Sequence, residues 1–227
     1  MPDKHLVLIP ALFCDEALYA PVKAELAKHA TVHVIAAPRD TMEESVAAIL
    51  EQAPESFIVA GTSYGASLAI EVALAAQDRV KGLWIMGSNA GAPDPDQSAG
   101  LVQGIESNTE GVIGMLAGVV AHPSNPDAIQ TFKDMAARVG PEHAGKQAKS
   151  LAAKRSVEAH ASTLGMPVLA IWGAEDKISP PGSARGFVAD VPNAEWHEIA
   201  GCGHLPTLEK PAEVATIAGA WLDKIVA

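Results

Sequence analysis

The strongest constraint on the fold is an alternation of short apolar runs with helix-patterned stretches. The runs Leu6–Ile9, Thr31–Ile35, Phe57–Ala60, Gly82–Met86, Val168–Trp172 and Glu195–Ile199 read as strands. Several are continuously apolar, as strands buried on both faces are. Helical patterns fall between them, at Glu16–Lys28, Met42–Gln52, Tyr64–Ala76, Pro181–Ala189 and Ala212–Val226. Asp15 and Thr41 stand where helix N-caps stand. Alternating strands and helices predict an α/β fold: a mostly parallel sheet of about six strands flanked by helices on both faces.

The alternation stops between Ser88 and Gly165. The stretch opens with the loop-forming Asn89-Ala90-Gly91-Ala92-Pro93-Asp94-Pro95-Asp96. Helical patterns follow at Ala99–Glu106, Val112–Ala121, Pro126–Val139 and Pro141–Lys154, with no strand among them. The chain thus divides into a core domain, residues 1–87 and 165–227, and a helical insertion, residues 88–164. A helical insertion between two sheet strands reads as a cap, or lid, over a site; the plainer reading is a helical subdomain without a gating role.

The 227 residues carry a formal charge of −11, and 48% of them are hydrophobic. A net negative surface repels phosphate backbones and anionic lipid, so neither nucleic acid nor a membrane surface is expected as a partner. The run Leu6–Phe13 is too short for a spanning helix. Lys4 precedes it as in a secretory signal, but Cys14-Asp15-Glu16 ends it without a small-residue cleavage site. A cytoplasmic protein is therefore expected, with Cys14 and Cys202 as reduced, buried thiols. His33 and His197 fall in strand patterns. His122, His143 and His160 lack metal-ligand spacing, so no metal is expected. No phosphate-cradling loop or dinucleotide signature occurs, and no cofactor is expected.

Three segments carry chemistry. Gly61-Thr62-Ser63-Tyr64-Gly65 joins a strand to a helix. A turn this tight strains the serine backbone and leaves no room for side chains two residues to either side; it lifts the Ser63 hydroxyl clear of the sheet. The helix N-terminus offers the free N–H of Tyr64 to an anion. Trp172-Gly173-Ala174-Glu175-Asp176 follows another strand. A carboxylate there can hold a histidine in one tautomer, and Asp176 fits better than Glu175, although an Asp after a strand also simply caps a turn. Gly201-Cys202-Gly203-His204 follows the last strand and places a titratable ring in a Gly-rich loop, where it serves as a base or packs as an ordinary histidine. Ser63, Asp176 and His204 in that order, each after a strand, form the chain order of a nucleophile, acid and base that parallel strands bring to one sheet edge.

On these motifs the chain resembles the α/β-hydrolase fold family, in particular small bacterial esterases and lactonases with a helical cap. WGAEDKISP and GCGHLPTLEKP carry the resemblance most closely, and it covers nearly the whole chain. It implies Ser63, Asp176 and His204 as a catalytic triad. Against the usual eight strands the first two are missing, which implies a bare sheet edge. The family usually has His-Gly after its first matching strand, where this chain has Pro10-Ala11. By resemblance the backbone N–H of Leu12, with Phe13 as the fallback, is the second oxyanion donor beside Tyr64.

The expected reaction is hydrolysis of a small-molecule carboxylic ester through an acyl-enzyme. Lactone, amide or carbon–carbon cleavage by the same triad is the alternative, and a non-catalytic ligand-binding protein on this scaffold is the rival of another class. Phe13 and Leu205, beside the triad in sequence, are expected to line the pocket with Leu12 and Tyr64. From the insertion Met115, Val119, Phe132 and Met135 either face the pocket or form the insertion's own core. Nothing in the sequence sets the oligomeric state.

Overall fold

A computed structural model describes residues 4–226. Six parallel strands form one sheet: β1 (His5–Ile9), β2 (Thr31–Val34), β3 (Phe57–Thr62), β4 (Val80–Met86), β5 (Val168–Gly173) and β6 (Ala194–Ile199), in the order β2-β1-β3-β4-β5-β6. Every pairing is parallel, so all six C-terminal ends share one edge. β2 and β6 are the outer strands, which explains why their patterns are interrupted by His33 and His197.

The helices are α1 (Ala20–Leu26), α2 (Met42–Gln52), α3 (Tyr64–Ala75), α4 (Pro95–Ala117), α5 (Pro126–Ala152), α6 (Gly182–Ala189), α7 (Pro206–Glu209) and α8 (Pro211–Lys224). The Thr41 side chain accepts from the Glu44 N–H at 3.2 Å and starts α2. Asp15 does the same for the short 3-10 turn Glu16–Tyr19, accepting from the Ala17 N–H at 2.9 Å. Alternate residues of each central strand feed two cores. Leu6, Leu8, Ile58 and Ala60 face the side of α1 and α8, whereas Val7, Ile9 and Val59 face α2, α3 and α6. α3 is buried from Tyr64 to Ala73, which is why its pattern is apolar all round.

The two helices between β4 and β5 are each broken where the sequence pattern breaks. At Asn108 the backbone leaves helical geometry (φ −154°, ψ 66°), and its side-chain oxygen restarts the helix by accepting from the Gly111 N–H at 3.1 Å. Gly140 (φ 70°) followed by Pro141 interrupts α5. The two helices pack on each other, and α5 also meets the 3-10 turn, α2 and α3; Ile105, Phe132, Met135 and Ala136 share one apolar cluster with Phe13, Leu18 and Leu205. Among the described residues no helix is long and apolar enough to cross a membrane.

Candidate active site

Ser63 sits at the junction of β3 and α3 with φ 57° and ψ −116°. Positive φ in a residue with a Cβ costs on the order of 1–3 kcal/mol and persists only when its surroundings dictate it. They do so here by close approach. A Cβ on Gly61 would lie 2.1 Å from the Gly65 carbonyl oxygen, and one on Gly65 would lie 2.0 Å from the Ile9 oxygen. The Ser63 N–H is tied to the Met86 oxygen at 2.8 Å, anchoring the elbow to the end of β4. As the first residue of α3, Tyr64 has no intrahelical acceptor for its N–H.

Asp176 and His204 follow β5 and β6 and meet at the same edge. His204 Nδ1 lies 2.7 Å from Asp176 Oδ2, and both residues are buried. Asp176 Oδ1 accepts from the Ile178 and Ser179 N–H groups, each at 2.9 Å. The carboxylate is therefore fixed on one oxygen and presents the other to the ring. Among the described residues, neither Ser63 Oγ nor His204 Nε2 is engaged in a hydrogen bond, so both atoms are free to meet a ligand.

Two supports of this pair were not visible in the sequence. Gly87, just after β4, has φ 61°, and a Cβ there would lie 2.9 Å from both Cε1 and Nδ1 of His204. Gly87→Ala is thus expected to push the ring aside. A displacement of about 1 Å costs about 100-fold in rate, and steady-state kinetics on the purified variant check it. Glu209, on α7, is buried and accepts four hydrogen bonds. Its Oε2 takes the N–H of Gly203 (2.8 Å), the N–H of His122 (2.7 Å) and Nδ2 of Asn125 (2.9 Å), while Oε1 takes the N–H of Leu205 (3.0 Å). One carboxylate thereby clamps both sides of His204 and joins the His loop to the segment between α4 and α5. The His204 N–H reinforces the junction by donating to the Val120 oxygen at 3.1 Å. Glu209→Ala strands several buried N–H groups and should lower unfolding stability by roughly 2–4 kcal/mol, read from urea denaturation.

The loop after β1 is closed by the chain's own side chains. The Phe13 N–H donates to Gln147 Oε1 at 3.1 Å, and Gln147 Nε2 donates to the Ala11 oxygen at 3.3 Å. Phe13 itself has φ 61°. With its N–H occupied, Phe13 is not available as an oxyanion donor; the Leu12 N–H has no hydrogen-bond acceptor among the described residues. Gln147 belongs to α5, 134 residues away, and no local signal marks it.

A cleft of about 680 Å³ opens beside Ser63 and Tyr64. Of the residues expected to line it from the insertion, Met115 does so and is 61% exposed. The others lie elsewhere. Phe13, Leu205, Phe132 and Met135 are fully buried in the apolar cluster that α4 and α5 share with the segments after β1 and β6, because that packing needs their apolar volume. Val119 lies in the turn after α4, away from the cleft wall. The walls are instead Leu101, Val112 and Leu116 of α4, Leu151 of α5 and Ile178. Ser67, Ser88, Asn89 and Lys154 also line the cleft, and none of them stands out in the sequence.

Cys14 and Cys202 are free and buried, and burial pushes both thiols up, so neither is a thiolate nucleophile. Among the described residues no group of three or more His, Cys, Asp or Glu is placed to hold a metal.

Known proteins match this architecture. A family model described as the alpha/beta hydrolase fold matches residues 37–211. The chain therefore belongs to the α/β-hydrolase fold family. Among curated relatives, a 2-hydroxy-6-oxononadienedioate/2-hydroxy-6-oxononatrienedioate hydrolase of Cupriavidus pinatubonensis is 33% identical over 160 residues, which is 64% of this chain and 55% of that protein. A protein of the same name from Paraburkholderia xenovorans is 31% identical over the same share of each chain. The chain thus spans little more than half the length of the curated relatives it matches. Among solved structures, a thermophilic esterase from Thermogutta terrifontis superposes with a TM-score of 0.90 at 21% identity, covering 98% of this chain and 90% of that one. The enol-lactonase from Burkholderia xenovorans superposes with a TM-score of 0.88 at 16% identity, covering 97% and 92%. At these identities the superpositions establish the shared fold.

Proposed function

We propose that the chain is a serine esterase that hydrolyses small carboxylic esters through an acyl-enzyme. The observation that carries this reading is the buried 2.7 Å contact between His204 Nδ1 and Asp176 Oδ2, on the sheet edge where the elbow holds Ser63. Asp176 keeps the Nδ1 proton in place, so Nε2 is the basic nitrogen. Ser63 Oγ attacks the ester carbonyl and His204 Nε2 takes its proton. The N–H groups of Tyr64 and Leu12 receive the developing oxyanion, each worth roughly 3–4 kcal/mol in the transition state. His204 returns the proton to the leaving alcohol. Water, deprotonated by the same nitrogen, then releases the acid. The segment between β4 and β5, its loops together with α4 and α5, supplies most of the cleft wall and acts as the cap that selects the substrate.

A second reading rests on the curated relatives, which are named as hydrolases of oxononadienedioates. On it the same three residues cleave a carbon–carbon bond. A substrate panel separates the two. The esterase reading predicts turnover of p-nitrophenyl butyrate and little or none of a vinylogous 1,5-diketone; rapid diketone cleavage with inert esters would overturn it.

A further inference from the structure

The cleft beside Ser63 is not uniformly apolar. Lys154 lines it and is only 8% exposed, yet among the described residues no carboxylate oxygen lies within 4.0 Å of its Nζ. Two neutral acceptors hold the ammonium, the Asn89 backbone oxygen at 2.7 Å and Asn89 Oδ1 at 3.3 Å. The nearby acids are otherwise engaged. Glu71 on α3 is paired with Arg155 at 2.9 Å, Glu158 accepts from the Ser156 hydroxyl at 3.2 Å, and Asp94, at the start of α4, caps that helix. A buried cation without an ion pair is costly, and a chain that keeps one in a cleft wall gains when an anion arrives. Burial lowers the Lys154 pKa to about 8, the Glu71 and Glu158 charges opposing the shift, so the ammonium still carries its charge at neutral pH. Beside it Ser67 and Ser88 share a 2.8 Å hydrogen bond. Ser88 Oγ also donates to the Asn89 backbone oxygen at 3.4 Å, the acceptor that holds Lys154, so the two hydroxyls and the ammonium form one polar group in a lining that otherwise includes Leu101, Val112 and Leu116.

We propose that Lys154, with Asn89, Ser67 and Ser88, binds the carboxylate of the substrate, so that the preferred ester carries an anionic group remote from the scissile bond. This rests on the esterase reading of Ser63. The apolar lining accommodates the methylene chain, and the polar group selects its charged end.

The test compares mono-p-nitrophenyl esters of succinic, glutaric and adipic acids with neutral p-nitrophenyl esters of equal chain length. The p-nitrophenyl esters of butyric, valeric and hexanoic acids serve as the neutral arm, and butyryl esters of hydroxy acids place the carboxylate on the alcohol side. At pH 7 at least one anionic ester should exceed its neutral counterpart in kcat/KM by tenfold or more on the order expected for a buried charge-assisted contact. Lys154→Met should erase that preference, chiefly through KM, while Lys154→Arg retains part of it. The preference should also decline between pH 7 and pH 9 as Lys154 discharges. Calorimetric binding of glutarate to Ser63→Ala protein, with glutaramide as the neutral control, reads the subsite without any turnover. Neutral esters favoured throughout, or a Lys154→Met variant that loses anionic and neutral esters equally, would overturn the proposal. Inert esters together with tight, Lys154-dependent glutarate binding would instead overturn the esterase reading and leave the subsite standing.

Discussion

Ser63→Ala is expected to lower kcat on p-nitrophenyl butyrate by at least about 10⁴-fold while leaving the fold intact. The hydroxyl is the only group that the substitution removes, and it makes no hydrogen bond that holds the elbow; the backbone N–H bonded to Met86 remains. The strain also remains, since alanine has the same Cβ at φ 57°. The thermal midpoint should therefore stay close to that of the parent. Ser63→Gly separates the two roles of the position. It is equally inactive, but it relieves the positive-φ cost and should be more stable by about 1 kcal/mol. Kinetics and thermal unfolding on the two variants check both halves: an alanine variant that retains a tenth of the parent activity would remove Ser63 from the chemistry.

Asp176→Asn is expected to cost about 10⁴-fold in kcat, with little change in stability. The geometry explains why so small a change is so damaging. Asp176 Oδ1 is fixed by the Ile178 and Ser179 N–H groups, and an asparagine satisfies them with its own carbonyl oxygen. Its amide nitrogen is then forced to the position of Oδ2, 2.7 Å from His204 Nδ1. An N–H donor there makes Nδ1 the acceptor and moves the ring proton to Nε2, the nitrogen that must be free to act as a base. The ring stays in place but holds the wrong tautomer. Asp176→Ala frees the ring as well and is expected to be no more active. Steady-state rates with matched circular dichroism spectra decide the point: an asparagine variant within tenfold of the parent would show that Asp176 caps its turn and does nothing for His204.

Much of this arrangement was legible in the sequence because it depends on local order. Strands buried on both faces are continuous apolar runs, and the four inner strands are recognised as such without a distant partner. The breaks at Asn108 and Gly140 are readable as ends of helical periodicity, and at each the structure has two helical segments meeting across a kink. Ser63, Asp176 and His204 stand just past strand ends, and parallel pairing brings such positions together. What stayed hidden depends on contacts across long separations. Glu209 was in view within its motif, but its four donors come from both sides of His204 and from residues 122 and 125. Gln147 reaches back to the β1 loop, and Gly87 matters because a histidine ring 117 residues later rests on it. The pocket residues failed for a related reason. Helical spacing marks Phe132 and Met135 as one face of a helix, but periodicity does not say whether that face meets other apolar side chains or a cleft. Lys154 lay at the end of a helical pattern, where a lysine ordinarily points to solvent.

The most direct test of the central claim is to identify the atom that becomes acylated. Incubation of the intact protein with a fluorophosphonate, followed by whole-protein and peptide mass spectrometry, reads it. One phosphonyl group per chain on the peptide bearing Ser63, absent in Ser63→Ala and slowed in Asp176→Asn, is the predicted result. A folded, ester-hydrolysing protein whose Ser63 stays unmodified, or whose label persists in Ser63→Ala, would contradict the account.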